Sequence, residues 1–175
     1  MICLLAAALL VAPAAAAAPL RIVAIGASNT SGFYINKDET YPALLQKLLK
    51  EHGVDAEVTN SGVPFDTTAA MLRRLDRDVP KGTNIVILQP GANDLRFFGT
   101  PEQRAANIAE MERRLRARSI KVIVYDEDVP WHYYALDFIH FNREGHAMIA
   151  AALLPRVLAL IGKGQGRAHA GVKAH

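Results

Sequence analysis

The chain has 175 residues, a formal net charge of +3 and one cysteine, Cys3. A single cysteine leaves no disulfide framework and no cysteine metal site. The charges are mixed along candidate helix faces instead of forming a basic stripe, which argues against a nucleic-acid partner, and the length suits one domain around one core.

Residues 1–18 read as a signal peptide, because "ICLLAAALLVAPAAAAAP" is an apolar core followed by small residues offering A-x-A cleavage sites. The run is shorter than the roughly 20 apolar residues of a membrane span. No Lys or Arg precedes it, so the pattern allows a start upstream of Met1, and Cys3 sits too early for a lipoprotein cysteine. The expectation is an exported protein, periplasmic or secreted, without stable membrane insertion. The domain is expected over 19–162. A disordered basic tail is expected over 163–175, where "GKGQGRAHAGVKAH" lacks an apolar period. Its "GKGQG" is no phosphate loop, since no strand precedes it and no helix follows.

Strands and helices alternate from Arg21 onward. Strands are predicted at 21–25, 56–60, 84–89 and 121–125. Three are short β-branched runs suited to a sheet covered on both faces, while "AEVTN" alternates and suits an edge. Thr40 is predicted to cap a helix with Leu44, Leu45, Leu48 and Leu49 in one stripe, ended by Gly53. A second helix is predicted at 67–79. A third opens on Thr100, Pro101 and Gln103, a capping box, and runs to Ser119. The last starts after Asn142, and Pro155 is expected to kink or split it. The βαβα order predicts a three-layer α/β/α sandwich on a flavodoxin-like parallel sheet of four to five strands, with function at the carboxyl ends of the strands.

Four segments would share that rim. Ser28 in "GASNTSG" follows a strand and precedes a loop, where a hydroxyl among small neighbours is open to a substrate carbonyl or is simply part of a turn. Gly62 in "NSG" brings a backbone N–H close to a ligand or merely ends a strand. Asn93 in "GAND" offers an amide to an oxyanion or forms an Asx turn. Asp137 and His140, in D-x-x-H spacing, suit a carboxylate that fixes an imidazole's tautomer, or are a surface pair. His132, His140 and His146 are spaced eight and six residues apart, which matches no compact zinc pattern, so no metal is expected.

In this order, Ser28, Gly62, Asn93 and His140 resemble the four blocks of the SGNH hydrolases, or GDSL-type esterases. "NSGVPFDTT", "GANDL" and "DFIHFNREGHAMIA" resemble the second, third and last blocks, and the resemblance spans Arg21 to about Ile161. The chain looks most like the small bacterial arylesterase and lysophospholipase-thioesterase group. The resemblance implies a serine esterase acting on a small-molecule ester, with thioesters and lysophospholipids within the family's range. Ser28 would be the nucleophile, His140 the base and Asp137 its orienter. The oxyanion hole would be Ser28, Gly62 and Asn93, and no cofactor would be needed.

Two departures stand out. Ala27 occupies the position where the family usually has an acid. Only 43 residues, 94–136, separate Asn93 from Asp137, where many relatives carry another helix and strand. That shortening puts the placement of Asp137 and His140 in question and leaves Trp131, Tyr133 and Tyr134 as cleft wall or as packing under the last helix. His146 reads as structural, and His132, near Asp126 and Asp128, is the alternative base. The competing functions are a degenerate SGNH-fold protein that binds an ester or glycan without turnover, and a nucleotide-binding domain. The latter lacks both G-x-G-x-x-G and a Walker lysine.

Overall fold

Ile22, Val23, Ala24 and Ile25 make Leu20–Gly26 (β1) a strand buried on both faces, as suits the middle of a parallel sheet. The computed structural model describes residues 18–170. The expected signal peptide, all but its last residue, and the end of the expected tail at 171–175 lie outside the described residues. After β1 come one helical turn, Ser28–Ser31 (α1), a 3-10 turn at Lys37–Glu39 and helix Tyr41–Glu51 (α2). Strand Ala56–Gly62 (β2), helix Thr68–Asp78 (α3) and strand Ile85–Gln89 (β3) follow. A π-type turn at Asp94–Phe98 then leads to helix Pro101–Ala117 (α4). Strand Lys121–Val124 (β4), a 3-10 turn at Trp131–Tyr133 and helix Arg143–Ala170 (α5) complete the order.

The four strands are parallel and lie in the order β2-β1-β3-β4. Gly26 pairs with both Gly62 and Gln89, so three strands end level. The chain steps one way from β1 to β2 and the other way to β3 and β4. Such a reversal opens a crevice at the carboxyl ends between β1 and β3.

Alternate residues of the strands feed two cores. On one side Ile22, Ala24, Ile85, Ile87 and Ile123 pack with Leu45 and Leu49 of α2 and Ile149, Leu153 and Val157 of α5. On the other, Val23, Ile25, Val86 and Leu88 pack with Met71 and Leu75 of α3 and Met111 and Leu115 of α4. This is the expected α/β/α sandwich, with four strands. β2 is an edge strand, as its alternation predicts. β4 is the other edge, and α5 covers it: Lys121 Nζ donates to Leu160 O at 2.6 Å, and Arg156 Nη2 donates to Val124 O at 2.9 Å. Arg143–Gly162 is long and apolar enough to cross a bilayer by length and composition alone, yet its Ile149, Ala150, Leu153 and Val157 are core residues.

Three local expectations are corrected. A helical turn begins at Ser28 itself, where a loop is expected. Thr40 occupies the N-cap position of α2 without a side-chain cap, because its hydroxyl donates to Lys37 O at 2.8 Å. The first N–H of α2, Tyr41 N, donates instead to His146 Nδ1 at 3.1 Å. α5 passes through Pro155 unbroken, held by buried Leu153 and Val157 on either side. α5 runs on to Ala170, into the segment expected as a tail.

Among the described residues, four non-glycine residues have left-handed backbone, and three are aromatic: Tyr34 (φ 71°), Phe65 (φ 65°) and Phe138 (φ 54°), with Ser119 the fourth. That conformation brings Cβ against the following carbonyl and costs roughly 1–2 kcal/mol per residue.

Candidate active site

Ser28 is the first residue of α1, at the mouth of the crevice. Its carbonyl accepts from Gly32 N at 3.0 Å, Phe33 N at 3.1 Å and Ser31 Oγ at 2.9 Å, and Gly32 closes the turn at φ 80°. The ends of β1 and β2 press against this turn. A Cβ on Gly62 would lie 2.1 Å from Ser31 N, and one on Gly26 would lie 1.9 Å from Thr30 Oγ1. Gly62 is glycine because backbone must approach backbone there, and Gly26 because the buried Thr30 side chain fills the space a Cβ would need.

Asp137 and His140 form a pair, with His140 Nδ1 2.5 Å from Asp137 Oδ2. Asp137 Oδ1 accepts the N–H groups of Ile139 and His140, each at 2.9 Å. Partial burial pushes the Asp137 carboxyl up, but these N–H groups and the imidazole more than offset it, bringing it down to about 2. The pair sits at the tip of a narrow loop. Ala135 N donates to His140 O at 2.7 Å, Asn142 N donates to Tyr133 O at 2.9 Å, and Tyr134 bridges Phe141.

Asn29, the residue after Ser28, grips this loop on both sides of His140. Its Oδ1 accepts from Phe141 N at 2.9 Å and its Nδ2 donates to Ile139 O at 3.1 Å. The His140 ring lies between Phe33, with centroids 4.8 Å apart, and the edge of Tyr34 at 5.4 Å; its side chain is 14% exposed. The short connection after β4 therefore still delivers D-x-x-H to the serine turn. Among the described residues Ser28 Oγ and His140 Nε2 form no hydrogen bond, and bonds of this kind commonly close only around substrate.

Asn93 faces the same crevice from the end of β3. Its Nδ2 donates one hydrogen to Asp66 O at 2.8 Å, which orients the second. Next to it, Asp94 is buried and accepts Thr68 N at 2.9 Å and Thr68 Oγ1 at 2.6 Å, tying the turn to the start of α3. Gly62 N–H, the third expected oxyanion donor, is already given to Asn60 Oδ1 at 2.9 Å.

Arg74, only 8% exposed, holds this half of the site together. It donates to Gly26 O at 2.9 Å, Ser61 O at 2.9 Å, Ser61 Oγ at 3.0 Å, Asp66 Oδ2 at 2.6 Å and Asp78 Oδ2. One side chain thus joins the ends of β1 and β2 to the segment that orients Asn93. Arg104 does the same across β3 and β4, donating to Gly91 O and to both oxygens of Asp126 at 2.5 and 2.8 Å.

The resulting cleft is about 350 Å³, and its wall includes Ser28, Asn93, Gln89, Tyr134, Ile139 and Phe141. Gln89 is fed from the core: Thr30 Oγ1 donates to Gln89 Oε1 at 2.7 Å, which leaves Tyr41 Oη as donor to Thr30 at 3.1 Å. Burial keeps the Tyr41 phenol protonated. Of the three aromatics after β4, Tyr134 is cleft wall, Tyr133 lies against Gly145 at the start of α5, and Trp131 faces solvent. His132 is exposed and away from the cleft wall. His146 is fully buried between Tyr41 and Phe141, and burial lowers it to about 4. Among the described residues no cluster of His, Cys, Asp or Glu is arranged for a metal.

Asn29, Asp66, Arg74, Gln89 and Arg104 have no role in the sequence reading. Only Asn29 carries a hint, its adjacency to Ser28.

The chain matches the model of the GDSL-like Lipase/Acylhydrolase family over residues 24–130, a stretch that ends before Asp137. It is 31% identical over 154 residues to Esterase TesA of Pseudomonas aeruginosa, an alignment covering 86% of this chain and 77% of that protein. It is 32% identical over 122 residues to an arylesterase of Vibrio mimicus, covering 69% of this chain and 60% of the relative's length. Among solved structures it resembles AlinE4, an SGNH-hydrolase family esterase, with TM-score 0.61 and 30% identity over 71% of this chain and 67% of that one.

Proposed function

Since the chain belongs to the GDSL-like lipase/acylhydrolase family and is an ester-hydrolysing enzyme, we propose that Ser28 is its nucleophile, with His140 the base and Asp137 the residue that orients it. Ser28 Oγ attacks the acyl carbon while its proton passes to His140 Nε2. Asp137, bonded at Nδ1, holds that tautomer and stabilises the imidazolium. The oxyanion receives the N–H groups of Ser28 and Gly62 and the second Nδ2 hydrogen of Asn93; Gly62 gives up Asn60 Oδ1 to do so. Collapse expels the alcohol, protonated by His140, and leaves the acyl group on Ser28. Water, deprotonated by His140, then releases the acid.

The observation that carries this reading is the Asn29 grip on Ile139 and Phe141, which holds the His140 loop at the residue next to Ser28. The cleft is walled by charged as well as apolar groups, which supports small carboxylic esters as substrates, thioesters and lysophospholipids being extensions of the same chemistry. The apolar opening segment supports export to the periplasm or medium. The test is mass spectrometry after treatment with a small fluorophosphonate. The expected result is one adduct, on Ser28, and loss of ester turnover in folded Ser28→Ala protein. A folded protein without an adduct would instead be a ligand-binding relative without turnover.

A further inference from the structure

Every large apolar side chain that stands exposed among the described residues belongs to a segment following the carboxyl end of a strand. Tyr34 follows β1, Phe65 follows β2, Phe97 follows β3, and Trp131, Leu136 and Phe138 follow β4. The apolar surface therefore encircles the mouth of the Ser28 cleft.

The backbone singles out the same places. Tyr34, Phe65 and Phe138 are 73%, 72% and 67% exposed, and they are the three aromatic residues with left-handed backbone. Turns that need this conformation ordinarily take Gly or Asn, because a bulky side chain is strained there. Here three loops combine that strain with a ring turned into water. Each choice is unfavourable in the free protein unless something covers the ring.

Phe65 and Phe138 lie outside the cleft wall, and Tyr34, whose ring meets that of His140 at 5.4 Å, is still largely exposed, so an ester seated beside Ser28 leaves most of this apolar surface uncovered. What covers them is larger than one substrate molecule. A folded partner seated across all four loops would seal the cleft. An apolar phase that itself contains the ester covers the rings and feeds the cleft at once. We propose that the rim is an interfacial anchor, with Tyr34, Phe65 and Phe138 inserting at a lipid–water interface from which Ser28 draws its ester. This rests on the assignment of Ser28 above. Tyr and Trp suit the headgroup level, where one end of the ring is apolar and the other wet. The charges next to the rings in the chain, Lys37 and Asp38 after Tyr34, Asp66 after Phe65 and Asp137 before Phe138, form no basic patch, so the attachment is apolar and should persist at high salt.

The test uses full-length Ser28→Ala protein, which leaves lipid intact, cosedimented with phosphatidylcholine vesicles. Binding is expected, and Phe65→Asn/Phe138→Asn in that background should lower it by about tenfold or more per ring removed. Asn accepts left-handed backbone, so this variant should melt no lower than its parent. In the Ser28 background it should still hydrolyse a dissolved short-chain aryl ester while losing activity on the same ester dispersed in micelles. No sedimentation of the Ser28→Ala protein, or equal sedimentation of the double variant, would overturn the anchor. So would a dimer that the double variant dissociates. Turnover by Ser28→Ala would instead refute the catalytic assignment, and the vesicle result would stand apart from it.

Discussion

Asn29 accepts the backbone N–H of Phe141 at 2.9 Å, across 112 positions of chain. With its second bond, to Ile139 O, it fixes both flanks of His140. Asn29→Ala removes both bonds while leaving the side chains of Ser28, Asp137 and His140 chemically intact. Displacing a base by about 1 Å costs about a hundredfold in rate, so kcat should fall by that order with KM little changed. Fluorophosphonate labelling of Ser28 should slow in parallel. Labelling at the native rate would show that the loop holds without the clasp.

Asn93 gives one amide hydrogen to Asp66 O and has a second for the oxyanion. Asn93→Ala is expected to lower kcat by about 10²–10³, as loss of one such donor does elsewhere. Asn93→Asp should fare no better, since a carboxylate offers no hydrogen and repels the oxyanion. A steady-state comparison on one dissolved ester checks both.

Arg74 is buried against Asp66 and Asp78. Replacing it with Met takes the guanidinium from two carboxylates and two strand-end carbonyls; Asp78 keeps Arg77 and Ser61, and Gly26 O keeps Val63 N, so the loss falls mainly on Asp66 and Ser61 O and is expected to cost about 3 kcal/mol. Arg74→Lys keeps the charge but cannot span all five acceptors, so it should recover part of the stability and less of kcat. Urea unfolding beside kinetics separates the two.

Gly62→Ala would place a Cβ 2.1 Å from Ser31 N, against backbone that has nowhere to go. The clash is steric, since the backbone of Gly62 is not left-handed. The variant should melt lower and lose most of its activity, because what yields is the serine turn.

His146 is lowered to about 4 by burial, with Tyr41 N–H on Nδ1 and the Tyr41 and Phe141 rings facing it. The unfolded chain binds this proton near pH 6.5 and the folded chain does not. Stability from this group is therefore complete above about pH 6.5 and declines as pH falls toward 4. Asp137, lowered to about 2, acts in a lower window: its contribution is present above about pH 4 and is lost as pH falls through 2. Melting temperature against pH should show the upper slope, and His146→Gln should flatten it between pH 6.5 and 4.

What was legible in the chain was local or periodic. The β-branched runs, the alternation of β2 and the Thr100–Gln103 capping box are contained in a few neighbouring residues, and each takes its expected form. What was not legible depends on a partner distant in sequence. Thr40 looks like a cap, but its hydroxyl turns back to Lys37 O, and the first N–H of the helix, that of Tyr41, is held by His146, 105 residues away. Arg74 looks like one more charge on a helix face until the ends of β1 and β2 converge on it. Asn29 is an ordinary turn residue until the loop around His140 arrives. Gly62 in the sequence suits a donor to a ligand, yet Asn60, two residues before it, already accepts its N–H.

The His140 loop is fastened to the serine turn at Ile139 and Phe141, is closed on itself by backbone bonds within 133–142, and none of its own residues joins the sheet. The length of chain between Val124 and Trp131 is thereby uncoupled from the position of the base. A lineage can gain or lose a strand in that interval while the clasp survives. The same freedom gives protein engineers a splice point: foreign sequence inserted after Asp128, with Glu127 kept on Arg156 and Val129 kept on the core, lengthens the tether without moving the buckle.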